Sequence, residues 1–317
     1  MPRRVLTDPE QLCDALEIPF STQQLDAITA PVEPGVIIAG AGSGKTTVMA
    51  ARVVWLVGTG RARPEDVLGL TFTRKAAAEL AQRVRTALVK AGVIDLTGAD
   101  EAGEQVVMTY DAFAGRMVAE HGVRLGVETD PVIVTGATRY RLADQVVARA
   151  AGPFEYLSRL SPGSVVKNLL QLDDELTSHL VSTRELAEHA TKWVRMLDSV
   201  PLYRGDMVKA VRVARERAIE RLELAGLVDE YQQLKQRLGL VEFSDQLAIA
   251  ARLAREVPAV SAAVRRQWPV VLLDEYQDTS SAQATLLRSL FSGETVEDGL
   301  GHAVTAVGDP CQAIYGW

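Results

Sequence analysis

The sequence predicts an α/β fold, a parallel sheet with helices on both faces, interrupted by an all-helical segment. Three observations predict it. Short apolar runs alternate with helical periodicity in the first part of the chain. From Thr138 to Leu240 the periodicity is mainly helical, punctuated by Pro153, Pro162, Gly163, Pro201 and Gly205. Near Phe243 the strand–helix alternation returns. The expected organisation is therefore an α/β domain in two pieces, residues 1–128 and 236–317, around a helical insertion at 129–235.

Taken in order, Thr7 to Leu16 predicts a short helix, and Ser21 or Thr22 can cap a second one beginning near Gln23. Gln24 in that helix has two readings that position alone leaves open. One is an ordinary solvated glutamine; the other is an amide offered to the paired donor and acceptor of an adenine edge. The apolar run Val36-Ile37-Ile38 precedes AGAGSGKTT, and the helical pattern TVMAARVVWLV follows it. Strand, small-residue loop and helix in that order make a phosphate-binding loop. Glycines let successive N–H groups turn inward around an anion, and the helix start adds its positive dipole end. The loop comprises Ala39, Gly40, Ala41, Gly42, Ser43 and Gly44, followed by Lys45, Thr46 and Thr47. Lys45 would reach the β- and γ-phosphates and Thr46 would hold Mg²⁺. The pattern G-x-x-x-x-G-K-[ST] is broken once, because Ala39 stands at the first glycine.

Val67 to Thr73 predicts a buried strand and Arg74 to Val89 a helix; Gln105 to Tyr110 and Asp111 to His121 repeat the pair. Within the helical segment, Asp206 to Leu238 gives the longest helical pattern. Its charges suit a solvated face, with some arginines able to touch phosphates. Pro269 to Leu273 is a strand ending in Asp274-Glu275, Ser281 to Phe291 a helix, and Ala303 to Val307 a last strand. An acidic pair at a strand end is common on surfaces. Downstream of a phosphate loop it is the expected complement of Lys45, one carboxylate for Mg²⁺ and one for the attacking water.

Bulk numbers bound the rest. The 317 residues suffice for two domains, and 47% hydrophobic with 24% charged content describes an ordinary globular protein. No apolar run is long enough to span a bilayer, and the start MPRRVLTDPEQL has no secretory apolar core. Cys13 and Cys311 give neither a disulfide framework nor a metal site, so a reduced, cytoplasmic compartment is expected. A net charge of -7 lends nucleic-acid binding no support; that case rests on motifs.

The motifs supply it. LTFTRKAAAEL (70–80), LLDEYQDTSSAQ (272–283) and VGDPCQAIYGW (307–317) resemble motifs of the UvrD/Rep/PcrA family of superfamily I DNA helicases, in the family's order. The resemblance implies a RecA-like ATPase domain. It makes Gln24 the adenine-reading glutamine, Asp274 the metal partner, Glu275 the catalytic base and Gln312 the γ-phosphate sensor. It also implies a single-stranded DNA track drawn from Thr71, Phe72, Thr73, Arg74, Tyr110, Tyr315 and Trp317, with strand–duplex junctions as substrate. Stacking a base on a ring is worth ~1–3 kcal/mol regardless of base identity. For Phe72 and Tyr110 core packing is the other reading. Three positions depart from the family pattern. Arg74 replaces a common Asn, Thr47 stands where many relatives carry an Arg near the base, and Asp111 occupies a place often held by His.

The family's motor has two RecA-like domains, and the second would begin after Trp317. An arginine supplied across the domain cleft is worth ~10³–10⁵ in rate. The expectation is therefore that these residues alone bind ATP and Mg²⁺ weakly, turn over little and do not unwind DNA. Two rival readings are a non-catalytic ATP-dependent DNA-binding module and the motor part of a helicase–nuclease.

Overall fold

A computed structural model describes residues 5–94, 106–128 and 131–314. The chain divides into two compact units, one of residues 1–125 and 249–317, the other of residues 126–248.

The first unit is α/β, as the sequence predicts. Helices α1 (Pro9–Leu16) and α2 (Thr22–Thr29) lead into β1 (Gly35–Ile38), α3 (Lys45–Gly58), β2 (Val67–Thr71), α4 (Arg74–Lys90), β3 (Val106–Thr109) and α5 (Tyr110–His121). After the second unit come α11 (Pro258–Gln267), β6 (Val270–Leu273), α12 (Ser281–Phe291) and β7 (Ala303–Gly308). The five strands are all parallel and run β1-β7-β6-β2-β3 across the sheet. The late strands β6 and β7 thus slot between the early strands β1 and β2. The strand ends carrying the phosphate loop and the acidic pair lie on one carboxyl edge, where open α/β sheets bind ligands.

The central strands read as unbroken apolar runs because helices cover both faces. All four residues of β6 are buried. Val270 and Leu272 join Val307 of β7 and the buried face of α3 (Val48, Met49, Val53, Val54, Leu56) in one core cluster. Burying each such side chain contributes about 1.5–3 kcal/mol. The register Leu70↔Leu273 and Ile38↔Gly308 fixes which residues emerge together at the carboxyl edge. Asp274 extends the β2–β6 ladder by one rung, its amide donating to the Leu70 carbonyl at 2.9 Å.

The second unit is mainly helical: α6 (Gly136–Arg149), α7 (Pro162–His179), α8 (Thr183–Asp198) and α9 (Lys209–Arg237), with the start of α10 (Phe243–Glu256). The brief apolar stretch at 132 forms β4 (Val132–Ile133), which pairs in parallel with β5 (Leu240–Val241). Leu142, Val146, Val166, Leu169, Leu224, Val228 and Tyr231 form its core. Beside that core sits a buried charge cluster. The ammonium of Lys235 donates to Asp173 at 3.1 Å, Glu242 at 2.9 Å and Asp245 at 2.9 Å. Arg139 pairs with Glu242 and Asp174, and the Tyr231 hydroxyl donates to Glu242 at 2.8 Å. Among the described residues, no helix is long and apolar enough to cross a membrane.

Candidate nucleotide site

The loop between β1 and α3 turns as its glycines dictate. Gly42 (φ 73°) and Gly44 (φ 82°) occupy left-handed backbone that a side chain would strain. Ala39 does not; its N–H continues the β1–β7 ladder to the Gly308 carbonyl at 3.1 Å. That is why alanine serves where the usual pattern has glycine. The Ser43 hydroxyl donates to the Gly40 carbonyl at 2.7 Å and closes the turn. Gly44 caps α3 with no side-chain hydrogen bond, whereas α2, α4, α5, α7, α8 and α12 each begin with a serine or threonine that accepts from a helix N–H. The first amides of α3 are thus left to an anion. Gln24 reaches this loop from α2. Its Nε2 donates to the Ser43 carbonyl at 3.0 Å, and its Oε1 accepts from the Ser21 amide at 2.9 Å. One amide hydrogen and one oxygen lone pair remain, the pair a base edge requires.

The acidic pair stands opposite. Lys45 Nζ lies 3.4 Å from Glu275 Oε2, with the lysine side chain 11% exposed and the glutamate 41%. Asp274 is buried, and desolvation, then the neighbouring Glu275, raises its pKa above the ordinary carboxylate value, with Lys45 opposing. A carboxylate in that condition gains from a cation. Among the described residues no group of three or more His, Cys, Asp or Glu could hold a metal. Thr46 and Asp274 offer instead one hydroxyl and one carboxylate. So sparse a set suits Mg²⁺, which keeps its waters and leans on phosphate oxygens.

Glu275 itself has left-handed backbone (φ 49°, ψ 43°). Its Oε2 also accepts from Gln277 Nε2 at 2.8 Å, while Gln277 Oε1 accepts from the Asp309 amide at 2.9 Å. Gln312 donates to the Asp309 carboxylate, which that bond and the Cys311 amide hold below the ordinary carboxylate pKa. The result is a continuous polar chain: Lys45, Glu275, Gln277, Asp309, Gln312. Gly308 makes it possible, since a Cβ there would collide with the Gln277 side-chain oxygen. Gln277 and Asp309 escaped the sequence reading, although both stand inside the motifs quoted.

Residues 20–317 match the sequence profile described as the UvrD/REP helicase N-terminal domain. The chain belongs to that family. Curated relatives agree with the assignment. DNA helicase II of Haemophilus influenzae is 26% identical over 312 residues, 98% of this chain and 36% of the relative. ATP-dependent DNA helicase UvrD1 of Mycobacterium tuberculosis is 28% identical over 307 residues, 96% of this chain and 34% of its own length. ATP-dependent DNA helicase PcrA of Staphylococcus aureus is 26% identical over 298 residues, covering 94% and 34%. The chain thus spans about a third of the length of the relatives it matches.

In this UvrD/REP domain the remaining expected residues are spread over different environments. Thr71 is fully buried at the end of β2. Phe72 is half-buried, Thr73 caps α4 by accepting from the Ala76 amide at 3.1 Å, and Arg74 is exposed at the helix start. Tyr110 is 1% exposed and packs edge-on against Phe72, ring centroids 5.8 Å apart. Burial pushes its hydroxyl pKa up. As placed, Tyr110 offers no face to a base, and Phe72 is the more accessible ring. Asp111 is exposed beside it. Thr47 is half-buried in the first turn of α3. Tyr315 and Trp317 lie outside the described residues. The two cysteines are free, Cys13 half-buried and Cys311 exposed.

Proposed function

We propose that this chain is the nucleotide-binding N-terminal part of an ATP-dependent DNA helicase. Its parent protein would move on single-stranded DNA and open duplex at junctions, in repair or recombination. The observation that carries the reading is the meeting of Lys45 with Glu275 beside a buried Asp274, across 230 positions of sequence, at the uncapped start of α3. Residues of these types gather at one strand edge to manage a polyphosphate and its metal.

In this reading Lys45 and the α3 amides bind the β- and γ-phosphates, and Thr46 and Asp274 would hold Mg²⁺. When bound, the metal neutralises phosphate charge. Glu275 orients and deprotonates water, and Gln312 senses the terminal phosphate through Asp309. Gln24 reads adenine. Phe72, Thr73 and Arg74 line the single-strand track, to which the family resemblance adds Tyr315 and Trp317; Thr71 and Tyr110, expected there too, are buried. The RecA-like domain is formed by about 1–128 and 236–317, with 129–235 as an inserted subdomain. A second RecA-like domain of the parent protein supplies the arginines that complete the site.

The test uses full-length parent protein on a tailed duplex. Lys45→Ala is expected to abolish unwinding and to cut ATP hydrolysis by about 10²–10³-fold, the usual loss of one preorganised charge donor. Unwinding by the K45A protein at the unaltered rate would refute the reading. A polypeptide of residues 1–317 is expected to bind ATP without unwinding.

A further inference from the structure

Arg52 lies two turns into α3, in the helix that begins at the phosphate loop, and is 2% exposed. A buried guanidinium ordinarily meets a carboxylate. Here its hydrogen bonds go instead to four backbone carbonyls at the end of α2. Nη1 donates to Ala27 at 3.1 Å, Ile28 at 3.3 Å and Ala30 at 3.0 Å, and Nη2 donates to Pro31 at 3.0 Å. Ala27 and Ile28 are in the last turn of α2, whose carbonyls a helix leaves without partners where it stops, and Ala30 and Pro31 follow directly in the chain. Helix α2 has no means of its own to satisfy them. Its C-cap Ala30 is extended (ψ 148°), and no basic residue stands in its last turn. A cation from another helix therefore supplies both the donors and the charge that opposes the helix dipole.

Helix α2 needs such anchoring. It has eight residues, only one of them buried, Ile28, and helices that short do not hold together alone. It touches the phosphate loop at its other end through one bond, Gln24 to the Ser43 carbonyl. We propose that Arg52 is a positioning residue for base recognition: gripping the last carbonyls of α2 from the phosphate-loop helix, it sets where Gln24 meets adenine. The proposal rests on the nucleotide reading above. It separates two halves of the ligand. The triphosphate is held by the loop and Lys45, which Arg52 does not touch, whereas the base is held through α2.

Calorimetric titration of the full chain with ATP, GTP and inorganic tripolyphosphate, each with Mg²⁺, tests it. In R52M the ATP-over-GTP preference is expected to fall about fivefold to tenfold, as when a paired base contact is misplaced. Tripolyphosphate affinity is expected to stay within about twofold. R52K, with three donors on one atom and no planar fork, is expected to fall between. If R52M does not fold, R52K is scored on the same ratio, a drop of about threefold supporting the proposal and an unchanged ratio overturning it. An R52M chain that keeps its preference, or weakens toward all three ligands alike, overturns this proposal alone. Absence of Lys45-dependent binding in the unaltered chain overturns the nucleotide reading and this proposal with it.

Discussion

Lys235 and Lys45 both stand beside carboxylates, and they are held in opposite ways. Lys235, in the helical unit, is 3% exposed and touches three carboxylates at 2.9–3.1 Å; Arg139, Tyr231 and Gln232 take up the acceptors that remain. Lys45, in the α/β unit, makes one long contact of 3.4 Å to a glutamate that is 41% exposed. Enclosed charges survive only when nearly every donor and acceptor is matched. The Lys235 cluster meets that condition and holds α7, α9 and α10 in one arrangement. The Lys45 group does not meet it and, half solvated, does not need to. Its unspent donors are available to a ligand, which the Lys235 donors are not.

Making the same substitution at both places would break this comparison most directly. Lys235→Met leaves the buried Asp173 without its cation and takes one from Glu242 and the half-buried Asp245, and is expected to cost about 3–5 kcal/mol by chemical denaturation. Lys45→Met is expected to change stability by no more than about 0.5 kcal/mol. Equal losses would mean that Lys45 is a fold residue after all.

A second measurement sharpens the open side. Gln277 links Glu275 to the Asp309 amide. In the full-length parent, Gln277→Ala should lower kcat for ATP about tenfold and leave KM nearly unchanged, the loss of one orienting hydrogen bond. A change confined to KM would place Gln277 in ground-state binding instead.

The smallest effect concerns a half-buried histidine. His302 Nε2–H donates to the Trp268 carbonyl at 3.0 Å, and the ring stacks on Phe291 with centroids 5.0 Å apart. Burial, helped by Arg265, lowers its pKa below the ordinary 6.5. The unfolded chain then takes up a proton before the folded one does. Stability from this group is complete above pH 6.5 and is lost as pH falls through the window below it. Thermal unfolding across that window should slope less in His302→Gln than in the unaltered chain.

Much of the fold was legible because buried parallel strands announce themselves. Val270–Leu273 is apolar throughout and buried throughout. The exception at β1 is instructive: Val36 and Ile38 are exposed on an edge strand, so an apolar run did not there mean burial. The β4–β5 pairing was not legible, since two-residue strands far apart in sequence leave no periodic trace. At the site, Lys45 was found because it closes a small-residue loop between strand and helix, and Asp274 and Glu275 because they are acids at a strand end. Gln277 was not, because its role depends on the space Gly308 leaves open, a fact of three dimensions. Arg52 did leave a signal: an arginine between Ala51 and Val53 in a helix with little other polarity. Tyr110 stood between core and DNA track on sequence grounds, and its 1% exposure describes a core side chain.

The backbone at Glu275 bears on how the domain would fare if folding were the sole criterion. A glutamate held at φ 49° costs roughly 1–3 kcal/mol that glycine there would recover. Glu275→Gly would therefore trade the carboxylate that meets Lys45 for an easier turn, so firmness and chemistry pull against each other at one torsion.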